Sequence, residues 1–298
     1  RGNDDGVRFP LIGNTFEIMA LQPVGIPMGF GRDVIEVFLR FHEGANLPYF
    51  RSNGSMERRL TSWFSPALQK EMPISVYGHY GFALLLVPTA AADYLEYERF
   101  QLIDSISPQI EGGQVKVFSI DSINRESWMN DHMDPRHKSI RHQQWNDYVF
   151  QEVVPFIRTH TSQETPIIVC GASFGALHSM NIFLKRPDLF QGVIAMSGVY
   201  DLTEYTKSYF DDDVYFNSPL HYMANLTDHS ILEKIRESRH IHLLSGRGAY
   251  EDPGAAGRFA RLLYDKGIHY ELDLWGPEWP HDWNTWRHML PQYLSSRF

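Results

Sequence analysis

The apolar positions of this chain change period along its length. The opening "RGNDDG" is polar and predicts no element. "RDVIEVFLRFHEG" is an apolar, β-rich run, with Val34, Glu36, Phe38 and Arg40 set against Ile35, Val37, Leu39 and Phe41. Gly31 and Gly44 bound it, so it predicts a strand. The polar "RSNGS" at 51–55 reads as a linker or turn. A boundary there makes residues 1–56 an N-terminal extension, with added strands as its expected form, and residues 57–298 the main domain.

From Met56 onward strands and helices alternate. "PISVYG" and "FALLLVP" predict two strands joined by a glycine-rich turn, and the second is apolar throughout, as a central strand must be. "QVKVFSI" is a third strand. "QWNDYVFQEVVPFIRTH" follows, with Trp145, Tyr148, Val149, Glu152, Val153 and Phe156 at helical spacing. Next come the strand "PIIVC", a helix through "LHSMNIFLKR" and the strand "GVIAMSG". "HIHLLSG" is a strand, and "GRFARLLYDKG" an amphipathic helix closed by Gly267. "HYELDLWG" is the last strand. "DWNTWRHMLPQYL" is a terminal helix that Pro291 is expected to interrupt. This alternation predicts an α/β fold with a mostly parallel central sheet covered by helices on both faces.

Composition narrows the function. With 298 residues and 43% hydrophobic content, the chain can bury a large core. A formal charge of −9 with no basic run argues against nucleic acid as a partner. The longest apolar stretch, Phe82 to Val87, is strand-sized, so no membrane span is expected. The single cysteine rules out an intramolecular disulfide and Cys-rich zinc sites, and it fits a cytoplasmic location. A secreted chain is the alternative, since the sequence begins at Arg1 and not at methionine. Oligomeric state is not legible.

One short stretch carries chemistry. In "IVCGASFGALHS", Gly171-Ala172-Ser173-Phe174-Gly175 fits G-x-S-x-G, with a strand before it and a helix after it. The tight turn exposes the serine, and small residues two positions either side let strand and helix approach. A plain glycine-rich turn is the alternative. A nucleophilic serine needs a base, and in the fold that carries this motif the chain order is Ser, acid, His. Of the 14 histidines, His281 is the one in the loop after the last strand; His288, further along the helix, is the fallback. After "HIHLLSG" come Glu251 and Asp252. Asp252 is favoured as the acid because an acid before proline opens a helix, although the same pair also makes an ordinary N-cap. Glu251 is the alternative acid, and Asp201 a weaker one. In the expected reaction His281 takes the Ser173 proton as the hydroxyl attacks an acyl carbonyl, and the acid holds the imidazole. The oxyanion is held by the backbone N–H of Phe174 and by a second from "VPTAAADYLEYE", assigned to Ala90.

Other clusters have plainer readings. His132, His137 and His142 recur every five residues, a spacing that leaves one helical face, with Pro135 between them, so no metal site is expected. Asp211, Asp212 and Asp213 form a solvated loop without a calcium-loop pattern. Cys170 is a small buried residue on the strand side of the turn. The aromatic insertion "YDLTEYTKSYFDDDVYFNSPLHYMANL" is expected to cap the site.

Together, "SWFSPALQKEMPISVYG", "DSINRESWMN", "GASFGALHSMNIFLKRPDLF", "YFNSPLHYMANL" and "PHDWNTW" resemble a bacterial group of esterases. That group lies in the esterase-D and antigen-85-like branch of the α/β-hydrolases. The resemblance runs from about residue 57 to the end. It implies an α/β-hydrolase fold, a Ser-His-acid triad without cofactor or metal, and hydrolysis of a small-molecule carboxylic ester. It supports Ser173 and His281 most directly and the acid less, because the loop after Gly246 varies in length. Members often carry serine and glycine where this chain has Ala90 to Ala92, which narrows the space beside the substrate. The expected function is a serine carboxylesterase acting on small or medium acyl groups. Acyl transfer to a sugar or alcohol is the first alternative, and a non-catalytic binding protein on a hydrolase fold the second.

Overall fold

The computed structural model describes residues 56–298. The strand expected near residues 33–41 and the extension up to the boundary lie outside the described residues. Eight strands form one sheet: β1 Arg58–Ser65, β2 Lys70–Tyr77, β3 Phe82–Val87, β4 Val115–Ile120, β5 Ile167–Ala172, β6 Gly192–Met196, β7 His240–Ser245 and β8 Glu271–Leu274. Their spatial order is β1-β2-β4-β3-β5-β6-β7-β8. From β4 to β8 every pairing is parallel, whereas β1–β2 and β2–β4 are antiparallel. β2 and β3, consecutive in the chain, are therefore separated by β4.

The buried strands sort their side chains by parity. In β3, Ala83, Leu85 and Val87 face one apolar layer, while Leu84 and Leu86 face the other. The first layer is completed by α1 Pro135–Tyr148, α2 Phe174–Lys185, α3 His229–Glu237 and α4 Pro253–Asp265, through Trp145, Phe183, Ile235 and Phe259. The second is completed by α5 Trp283–Arg297 and the short helical turns between residues 96 and 111, through Trp286, Leu290, Leu102 and Ile110. Each of these side chains contributes roughly 1.5–3 kcal/mol by leaving water, so the sheet is anchored from both faces. This is the layered α/β arrangement that the alternation predicts.

Three local features depart from the sequence reading. β1 gave no strong signal because most of "RRLTSWFS" is exposed or half-buried. It is held by its pairing to β2 and by Glu152, which accepts hydrogen bonds from Trp63 Nε1 (2.7 Å), Ser65 Oγ (2.8 Å) and Ala67 N (3.1 Å). The helix from Pro135 continues through a wide π turn, Val149–Val153, into Val154–His160. Pro155 has no N–H to return to the preceding turn, and the wider turn absorbs that loss. Pro291 does not interrupt α5, which runs on to Arg297; a helix packed on the core tolerates one missing hydrogen bond.

The aromatic insertion forms two short helices, Asp212–Phe216 and Pro219–Asn225. A buried amide ties it down. Asn217 Oδ1 accepts from Asn146 Nδ2 on α1 (2.6 Å) and from Asn181 Nδ2 on α2 (2.9 Å). On the opposite face of the sheet from α2, Tyr97 links the C-terminal ends of β3 and β5: its hydroxyl donates to Val87 O (2.7 Å) and accepts from Ala172 N (3.2 Å). Tyr97→Phe is expected to remove both bonds, leave the β3–β5 ladder in place and cost about 0.5–1.5 kcal/mol. The measurement is the urea midpoint at unchanged slope; no shift in the midpoint would show that the bridge is dispensable.

Candidate active site

The turn from β5 into α2 decides where the site lies. Every residue of β5 is buried, so the strand runs straight through the core and must turn abruptly at its end. Ser173 makes the turn alone, at φ 56° and ψ −123°, a conformation sparsely populated outside glycine. Its N–H donates to Met196 O at 2.9 Å, which pins the turn to β6. Both motif glycines are required by contact. A Cβ on Gly171 would lie 2.3 Å from Gly175 O, and one on Gly175 would lie 2.5 Å from Val87 O. Phe174 opens α2, so its N–H has no acceptor within the helix.

The loops after β7 and β8 close on each other. Gly246 and Gly248 lie so near Trp279 that a Cβ would meet its carbonyl oxygen at 2.0 and 2.7 Å. Gly248 N donates to Trp279 O (3.0 Å), and His281 N to Ala249 O (2.9 Å). This zipper sets the imidazole beside a carboxylate: His281 Nδ1 is 3.5 Å from Glu251 Oε2. Ser173 and His281 are each 7% exposed and Glu251 is 6% exposed. Ser173 and His281 line one small cleft with Ser197, Gly198, Val199, Tyr205 and Asp252.

Glu251, not Asp252, is thus the carboxylate behind His281. Asp252 is the N-cap of α4, accepting from Ala255 N at 3.1 Å, with Arg258 3.4 Å away. The Asp-Pro pair took the local role, because an N-cap bond spans only three residues and forms as the helix forms. Glu251 has the longer side chain and turns inward, where Ser197 Oγ donates to Oε1 and Ser245 Oγ lies 3.0 Å from Oε2. Burial alone would raise the Glu251 pKa, but the hydrogen bonds and charge of His281, with those of Ser197 and Ser245, hold it below the usual value. Trp286 Nε1 donates to Ser197 Oγ at 2.9 Å, and its ring meets His281 edge-on at 5.2 Å. Ser197, Ser245 and Trp286 are the residues that the sequence reading missed. For the two serines the only signal was a Ser-Gly pair at the end of each neighbouring strand; Trp286, inside α5, had none.

The loop after β3 brings Ala90 into one buried cluster with Phe174, Trp128 and Leu177. Its carbonyls are held from the outside. Asn124 Nδ2 donates to Thr89 O (3.3 Å), Arg125 Nε to Ala91 O (2.7 Å) and Ser122 Oγ to Ala92 O (2.7 Å). Thr89 N and Oγ1 donate to the carboxylate of Glu96, at 2.9 and 2.5 Å. Burial pushes the Glu96 pKa up to about 8 against the lowering effect of these bonds.

The remaining candidates sit elsewhere. His288 is on α5, its Nδ1 2.7 Å from Asn284 O. Asp201 accepts from Thr203 N. Asp211 caps a short helix and accepts from Ser139 Oγ and Tyr209 OH. Cys170 is buried in the α5-side layer, and burial raises its thiol pKa. His142 is enclosed between Trp128 and His178. Among the described residues, no group of three or more His, Cys, Asp or Glu side chains is arranged to hold a metal ion. Nor, among them, is any helix long and apolar enough to cross a membrane.

A serine-bearing turn after a central strand of a mostly parallel sheet, with an imidazole loop after the last strand, has the architecture of the α/β-hydrolase fold. A family model described as "Putative esterase" matches residues 100–297, and the chain belongs to that family. The class that goes with it is the serine carboxylic ester hydrolases. No curated protein matches the chain. Among solved structures, a ferulic acid esterase superposes with a TM-score of 0.63 at 16% identity, covering 80% of this chain and 96% of that one. S-formylglutathione hydrolase from Staphylococcus aureus gives 0.60 at 13%, covering 83% and 98%. MPT51 from Mycobacterium tuberculosis gives 0.57 at 13%, covering 79% and 97%. At these identities the likeness is one of fold.

Glu96 makes stability pH-dependent. Its folded pKa of about 8 lies above its ordinary 4.5, so the folded state keeps a proton that the unfolded chain releases. That contribution is full below about 4.5 and is lost as pH rises through about 8, at up to ~1.4 kcal/mol per pH unit. Glu96→Gln carries no such proton. Between pH 5 and 8.5 the Tm of the wild type is expected to fall relative to that of Glu96→Gln; parallel curves would refute the assignment.

Proposed function

We propose that the chain hydrolyses esters of small or medium acyl groups through an acyl-enzyme on Ser173, with His281 as base and Glu251 as the supporting acid. The observation that supports this reading most is the convergence of three loops. Ser173 at its strained turn shares a cleft with His281, whose Nδ1 is 3.5 Å from the buried carboxylate of Glu251. Glu251 would hold the imidazole with Nδ1–H inward, leaving Nε2 to take the serine proton. Ser173 Oγ would then attack the acyl carbonyl while the backbone N–H groups of Phe174 and Ala90 stabilise the oxyanion. His281 would return the proton to the departing alcohol. Water would next attack the acyl-enzyme with His281 again as base, releasing the acid.

The cleft favours compact acyl groups, because Gly198, Val199 and Tyr205 line it beside Ser173. Tyr205 packs against the Phe174 ring, centroids 4.6 Å apart. On p-nitrophenyl esters, kcat/KM is expected to be highest for acetyl to butyryl and to drop by decanoyl. A decanoyl optimum would overturn the acyl-size reading.

Mutation separates the two carboxylates. Ser173→Ala is expected to abolish fluorophosphonate labelling and to lower kcat by at least ~10³-fold. Glu251→Gln is expected to lower kcat on the order of 10³–10⁴-fold, and Asp252→Asn by less than about tenfold, a helix-cap effect. The reverse order would return the acid role to Asp252.

A further inference from the structure

An indole N–H can only donate a hydrogen bond, and that fact sets the direction of a buried chain of polar groups. Trp128 Nε1 donates to His142 Nδ1 at 3.0 Å. A neutral His142 must then carry its proton on Nε2, which lies 3.0 Å from His178 Nδ1. His178 Nδ1 is therefore the acceptor, and its own proton is on Nε2, 3.0 Å from Asn124 Oδ1. With Oδ1 accepting, Asn124 presents Nδ2 to Thr89 O at 3.3 Å. Every member is buried, and burial lowers the pKa of both imidazoles, that of His178 to about 3. Protonating either histidine would set two donors against each other, so the chain works only in its neutral form.

The chain ends on one particular peptide. Thr89 O and the N–H of Ala90 belong to the same trans amide, so they point in opposite directions. Holding the carbonyl outward aims the N–H at the other side of the loop. Donation to the carbonyl also polarises the amide and strengthens its N–H as a donor. The His178 ring meets the Phe174 ring edge-on at 4.8 Å, so the chain braces the residue bearing the second N–H as well.

We propose that Trp128, His142, His178 and Asn124 are positioning residues that set the Thr89–Ala90 peptide for oxyanion stabilisation. The proposal rests on the reading of Ser173, Phe174 and Ala90 given above. Asn124→Asp tests it most directly, because the carboxylate still accepts from His178 but no longer donates to Thr89 O. On p-nitrophenyl acetate kcat is expected to fall about 10- to 100-fold, less than for outright loss of an oxyanion donor, with KM changed less than threefold. On the corresponding thionoester, whose sulfur is a poor acceptor, the fall is expected to be only a few-fold. Trp128→Phe removes the donor at the far end and is expected to show the same selective loss, smaller in size. Equal losses on both esters, or none, would overturn the proposal and leave a structural role.

A measurement on the wild type guards against variants that fail to fold. In ¹⁵N-histidine spectra both buried imidazoles are expected to be Nε2–H tautomers that do not titrate between pH 5 and 9. An Nδ1–H tautomer in either would break the chain and overturn the proposal. Fluorophosphonate labelling of Ser173→Ala separates the two levels. Labelling equal to wild type sinks the nucleophile reading itself; abolished labelling with equal ester losses sinks the positioning proposal alone.

Discussion

The single-residue turn at Ser173 is the constraint on which the rest of the site depends. A strand buried over its whole length enters a helix buried over nearly its whole length, and there is no room between them for a loop. Gly171 and Gly175 are small because the backbones of β5, α2 and the end of β3 touch there. The strain of a positive φ is held by the hydrogen bond to Met196 O and by packing on both layers. Strained backbone of this kind persists only where its surroundings over-determine it.

Around that turn the fold uses polar groups, most of them buried, to set loop position. Trp286, Ser197 and Ser245 aim Glu251; Tyr97 ties β3 to β5; Glu96, Asn124, Arg125 and Ser122 hold the loop that carries Ala90. A buried polar group without a partner costs roughly 1–3 kcal/mol, so each network must be nearly complete to be tolerated. Complete networks fix geometry more tightly than apolar packing does, since a hydrogen bond has direction and a methyl contact has little.

Much of the architecture was legible from period alone. The strands β3, β5 and β6 are apolar runs because both faces of the sheet are covered, and α4 shows its buried apolar stripe. β1 was not legible: most of its residues are exposed or half-buried, and the strand is held by pairing with β2 and by the distant Glu152, which accepts from Trp63 and Ser65. Continuation of α5 through Pro291 was also hidden, since a local rule about proline is overridden by packing of Trp286, Leu290 and Leu294 on the core.

The same division runs through the site. The sequence by itself determined the strand–serine–helix turn and the histidine after the last strand, because those depend on neighbours in the chain and on strand order. Asp252 looked like the acid for the same reason, and its local signal was real but belonged to a helix cap. Only the tertiary structure decided that Glu251 faces His281, because that depends on Gly246 and Gly248 lying against the Trp279 carbonyl. Trp128, His142, His178 and Asn124 likewise come from three separate segments and meet only when α1 and α2 pack together. Bonds between near neighbours leave a trace in the order of residues; bonds between distant segments have none until the sheet and its helices set their spacing.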